Sequence, residues 1–93
     1  MPQFVIEREI AGVGSLPEET LNAMAKKTRE VVNDSTTNVQ WLYSFVTDDK
    51  TYCVYLAPDE EVLRQSSERA GLPISRVSRV TSVLDAAGEK SSK

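Results

Sequence analysis

Histidine is absent from these 93 residues, and cysteine occurs once, as Cys53. Without imidazole no side chain has an ordinary pKa near neutrality, so His-based triads and His-rich metal sites are excluded within one chain. A single cysteine forms no intrachain disulfide, which leads to the expectation of a cytoplasmic protein. No run approaches the roughly 18 consecutive apolar residues of a membrane span, so no membrane partner is expected. Met1-Pro2-Gln3-Phe4 has neither a basic n-region nor an apolar h-region, and no secretory leader is expected in these residues. Basic residues are outnumbered, 11 against 14 acidic, and they are scattered: Lys26, Lys27 and Arg29 on one predicted helix, Arg76 and Arg79 on a strand. A nucleic-acid partner is not expected, because the basic footprint that releases counterions from phosphate is missing. Gly12 and Gly14 do not form a phosphate loop, since no Gly-Lys-Ser/Thr follows.

What is present is an ordinary globular mixture, which places one domain over residues 1–85 and a flexible C-terminal tail over 86–93. Phe4, Val5, Ile6 and Ile10 make Gln3 to Ile10 a strand. Ser15 stands three residues before Glu18, the spacing of a capping box, and Leu21, Met24, Ala25, Thr28, Val31 and Val32 then recur at helical spacing. After a polar loop over 33–38, Val39 to Thr47 and Thr51 to Ala57 are aromatic and β-branched runs separated by Asp48-Asp49-Lys50, which reads as a hairpin. Pro58 suits an early helical position, and Asp59, Glu60 and Glu61 complement the positive end of a second helix. Glu60 and Arg64 form an i,i+4 pair, Gly71 suits the left-handed position after the helix, and Pro73 follows. Val77 to Leu84 alternates as the last strand, and the residues from Asp85 on read as solvated.

Two β-α-β halves with short connections favour an α+β, ferredoxin-like βαββαβ fold: a four-stranded antiparallel sheet with two helices on one face, of the dimeric α+β barrel type. Strand alternation places Phe4, Ile6, Leu42, Val46, Val54, Leu56, Val80 and Leu84 beneath the helices. The opposite face then carries Val5, Glu7, Glu9, Val39, Trp41, Tyr43, Phe45, Cys53, Tyr55, Val77, Arg79 and Thr81. Such an aromatic face is too apolar for water. The expectation is a homodimer, sheet facing sheet, with a partly polar cavity between.

Several blocks of residues carry a resemblance. Phe4-Val5-Ile6-Glu7-Arg8, the run from Gln40 to Tyr55 that contains Thr47-Asp48-Asp49-Lys50-Thr51-Tyr52-Cys53, then Ala57-Pro58-Asp59-Glu60-Glu61 and Ala70-Gly71-Leu72-Pro73 resemble a bacterial domain family of unknown function whose members are often labelled nickel-binding proteins. The match runs from about Pro2 to Asp85, and the Thr-Asp-Asp-Lys-Thr-Tyr-Cys block is its most specific part. The resemblance implies a dimeric ferredoxin-like fold and metal binding, with nickel as the metal. Members of that family carry His two residues after the Trp and five residues before the Gly. Those positions are Tyr43 and Ser66 here, so Cys53 alone is kept as a soft ligand. A lone thiolate among carboxylates and phenols is a poor set for nickel or zinc.

The residues support two functional readings. In the first, a non-catalytic homodimer holds a small molecule or a metal ion in the cavity between its sheets. Trp41, Tyr43 and Tyr55 line the ligand there, and Cys53 is the one candidate metal ligand. In the second, the protein is a cofactor-independent enzyme, isomerase-like or monooxygenase-like. Glu7 shuttles a proton within apolar walls, and Arg79 or Tyr43 stabilises an oxyanion. Each feature also has a plainer explanation. Cys53 can be a small buried residue, Glu7 and Glu9 can belong to an interface ion pair with Arg79, and the aromatic cluster can be cross-strand packing. A third option is a structural subunit with no site.

Overall fold

The computed structural model describes residues 1–32, 38–87, 90 and 91. The chain runs β1 (Gln3–Glu9), a single 3-10 turn (Val13–Ser15), α1 (Glu18–Val32), β2 (Gln40–Val46), β3 (Lys50–Leu56), α2 (Glu60–Arg69), β4 (Arg76–Arg79), β5 (Val83–Leu84) and β6 (Lys90–Ser91). The first four strands form one antiparallel sheet in the order β2-β3-β1-β4, the ferredoxin-like arrangement. Both helices lie on one face: Val32 of α1 and Leu63 of α2 share a core with Phe4, Ile6, Val39, Cys53, Tyr55 and Ala57. None of the helices in the described residues is long and apolar enough to cross a membrane.

Local signals account for the second helix in detail. The Asp59 carboxylate accepts the Val62 amide at 2.9 Å, so Asp59 is the N-cap and Pro58 lies just outside the helix. Arg64 Nε reaches Glu60 at 2.8 Å across one turn. Gly71 takes φ 71°, the left-handed conformation that ends the helix. The first helix starts differently from its sequence signal. Ser15 closes the 3-10 turn, and the Pro17 carbonyl accepts the amides of Thr20 and Leu21 as the helix begins.

Side-chain parity departs from the expected pattern in the middle of the sheet. On β1, Phe4 and Ile6 lie under the helices as expected, and Val5, Glu7 and Glu9 face away. Tyr55 pairs with Phe4 and Cys53 with Ile6, so Cys53 and Tyr55 lie under the helices, while Val54 and Leu56 belong to the open face. The reason is Arg8, which shares the parity of Phe4 and Ile6 and is 1% exposed. A buried guanidinium needs hydrogen-bond acceptors, and a tyrosine hydroxyl supplies one where valine or leucine cannot. On β2 the register shifts between Trp41 and Tyr43. One extra residue, Leu42, lets both Trp41 and Ser44 face the helices, and their side chains hydrogen-bond at 3.0 Å. Trp41 packs on the helix-side core, and Val39 is buried within it, rather than either lying on the open face.

The last strand is also shorter than the alternation suggests. In β4, Val77 pairs with Ile6 and Arg79 with Phe4, on the helix side. The Val80 amide still reaches the Gln3 carbonyl at 2.8 Å, but β1 ends there, and the Pro2 carbonyl is taken by the Ala57 amide. The chain therefore leaves the sheet, and Val83–Leu84 pairs instead with Lys90–Ser91. The expected tail over 86–93 falls partly outside the described residues, at 88, 89, 92 and 93.

Candidate functional site

Helix α1 sits unevenly on the sheet. Only Thr28 and Val32 of its fifteen residues are buried, both toward its C-terminal end. Toward the N-terminal end Leu21, Met24 and Ala25 are half-buried over a cleft of about 510 Å³. That volume falls within the range of small-molecule sites. Its floor and walls are Arg8 and Ile10 from β1 and its continuation, Trp41, Ser44 and Val46 from β2, and Thr51, Cys53 and Tyr55 from β3. Leu42, Tyr43, Thr28, Arg29 and Leu72 complete the lining.

Arg8 dominates the chemistry of the floor. Its Nη1 donates to the Pro73 carbonyl at 2.9 Å, and its Nη2 donates to the Tyr55 hydroxyl at 3.0 Å and to Ser67 Oγ at 3.1 Å. Among the described residues its Nε, which is buried, has no hydrogen-bond partner, and neither has Ser66 Oγ. All three acceptors are neutral. Among the described residues no carboxylate forms an ion pair with this guanidinium. Arginine does not shed its charge by deprotonation, so the site holds a permanent cation out of water. Burial pushes the Tyr55 hydroxyl above its ordinary pKa of 10.0, more strongly than the nearby Arg8 draws it down. Tyr55 is therefore neutral at physiological pH and accepts from Arg8 as a phenol.

The expected ligand residues do converge. Trp41, Tyr43, Cys53 and Tyr55 all border this one cleft. Trp41, Cys53 and Tyr55 do so beneath α1, whereas the sequence placed them on the sheet's other face. Tyr43 is shared: its ring meets Phe45 on the open face edge-on, with centroids 5.4 Å apart. The candidate catalytic pair does not converge. Glu7 lies on the open face and accepts from Lys50 Nζ at 2.8 Å, and its neighbour on β4 is Arg76. Arg79 is on the helix side, opposite Phe4. The hydrogen bond that Lys50 donates to Glu7 raises the Lys50 pKa above its usual value.

Cys53 is buried, and its Sγ lies 3.7 Å from Thr51 Oγ1. Among the described residues no three His, Cys, Asp or Glu side chains gather closely enough to hold a metal ion. The group beside the Cys53 thiol is the Thr51 hydroxyl, and a lone thiol with a hydroxyl does not suit nickel. Arg8 is the residue that the sequence reading passed over. Its signal was the alternation Phe4-x-Ile6-x-Arg8, which puts the cation on the buried side of the strand.

A family model described as nickel responsive protein SCO4226-like matches residues 4–80. Among solved structures, the crystal structure of SCO4226 from Streptomyces coelicolor A3(2) is similar, with a TM-score of 0.71 and 20% identity. The match covers 84% of this chain and 94% of that one. At that identity the likeness bears on the fold. Among curated proteins, none matches the chain.

Proposed function

The chain belongs to the family of nickel-responsive proteins like SCO4226, and from that premise we propose that it is a non-catalytic binding protein. It takes a small molecule in the cleft beneath α1 rather than nickel. The observation that carries this reading is the convergence of Trp41, Cys53 and Tyr55 with Leu21 and Met24 around one cleft of about 510 Å³. Apolar walls with a few fixed polar groups are what small-molecule sites present. The absence of histidine, together with the burial of Cys53, argues against the metal that the family description names.

The chain's single tryptophan borders the cleft and reports on it directly. Titration with small aromatic compounds, both acids and neutral amides, should change Trp41 emission saturably. Ala25→Phe, which fills the space beneath α1, should abolish the change. No saturable change with any compound would overturn the reading. Equilibrium dialysis against nickel, on protein without a His tag, should find far less than one ion per chain, and stoichiometric nickel would restore the metal reading.

The open face supports a second proposal, a homodimer. Val5, Val54 and Leu56 share that face with Tyr43, Phe45 and Tyr52, and Tyr43 and Phe45 are exposed in the single chain. A second copy would cover them. The lone cysteine is consistent with a cytoplasmic location.

A further inference from the structure

We propose that the cleft beneath α1 selects an anion: a small carboxylic acid with an apolar body, its carboxylate set against the Arg8 guanidinium. The inference rests on the cleft being the binding site and adds the class of ligand. Three observations carry it. Arg8 is 1% exposed and, among the described residues, has only neutral partners, with none for its buried Nε. Among the described residues no Asp or Glu lines the cleft, while two arginines, Arg8 and Arg29, do line it. The remaining walls are largely apolar, with Ile10, Leu21, Met24 and Leu42 among them.

A cation buried without a counterion is costly, and a bound anion relieves that cost. The planar guanidinium suits a carboxylate, and charge-assisted hydrogen bonds are the stronger kind. A free inorganic anion would satisfy the charge but leave the apolar walls wet. An acid with a hydrocarbon or aryl body satisfies both. Arg29, exposed at the rim, adds a second positive charge on the path in.

The test compares matched pairs: benzoate, phenylacetate, 4-phenylbutyrate and octanoate, each against its own primary amide. Binding is read by Trp41 emission and calorimetry. At least one acid should bind about tenfold or more tightly than its amide, the factor expected for a charged over a neutral hydrogen-bond partner. Arg8→Met, which keeps the length but not the charge, should bring each pair within about twofold. If Arg8→Met does not fold, Arg8→Lys takes its place; it keeps the charge and should retain a weakened acid preference.

Acids and amides that bind equally, and are both excluded by Ala25→Phe, would overturn this inference while leaving the cleft as the binding site. Acid binding that Ala25→Phe does not disturb would overturn both. Phosphate or sulfate binding more tightly than every organic acid would overturn the proposed ligand class.

Discussion

Arg8 and Tyr55 hold one another across the two central strands: Nη2 donates to the phenol at 3.0 Å, and the guanidinium carbon lies 6.0 Å from the centre of the same ring. Each explains the other's position. The arginine requires an acceptor inside the core. The tyrosine hydroxyl, buried in an otherwise apolar cluster, requires a polar partner.

Tyr55→Phe removes that acceptor and leaves a buried donor with less to bond. Stability should fall by about 1–3 kcal/mol. Urea unfolding followed by circular dichroism measures the loss, and an unchanged midpoint would show that solvent already satisfies Arg8.

The raised pKa of Tyr55 fixes the sign of an alkaline effect. Folding favours the protonated phenol, so the folded state binds more protons than the unfolded state once pH passes 10. The contribution is fully present below the ordinary pKa near 10 and is lost as pH rises through the higher folded value. Thermal melting from pH 8 to 12 should decline above pH 10, and Tyr55→Phe should flatten that part of the decline.

Gly14 sits where the loop after β1 meets the β2–β3 turn. Its amide bonds to the Asp48 carbonyl at 2.9 Å, and an added Cβ would stand 2.5 Å from the Thr47 carbonyl oxygen and 2.8 Å from Asp48 Cα. Both neighbours are backbone and give little. Gly14→Ala should lose about 1–3 kcal/mol, the scale of overpacking. Ser15→Ala, one residue along on an exposed position, serves as the control in the same unfolding assay.

Phe45 is 59% exposed on the open face. If two copies meet there, Phe45→Lys should shift the protein from dimer to monomer in light scattering at micromolar concentration, with the melting of the single chain little changed. A wild-type chain that is monomeric at those concentrations would retire the dimer.

Much of the architecture was legible because it follows from local chemistry. The acidic first turn of α2, its Glu60–Arg64 pair and the glycine at Gly71 each mark a boundary without reference to the rest of the chain. The βαββαβ order then leaves few arrangements. The facing of the middle strands was not legible. Alternation ranks Val54 and Leu56 above Cys53 and Tyr55 as core residues, and only a distant partner, Arg8, reverses the order. The extra residue at Leu42 has no local mark, since Trp-Leu-Tyr-Ser-Phe reads as a regular strand. Strand alternation therefore groups Trp41, Tyr43 and Tyr55, which do border one cleft, yet it assigns Trp41 and Tyr55 to the wrong side of the sheet.

The offset at Leu42 falls on β2, one of the two outer strands of the sheet. A regular margin is a template onto which a stray extended chain can zip, and repetition of that event builds fibrils. An inserted residue breaks the spacing of outward amides and carbonyls and adds local twist, so a newcomer that matches one half of β2 falls out of step with the other. The irregularity that lets the indole and Ser44 point the same way thus also guards the flank against cross-β growth.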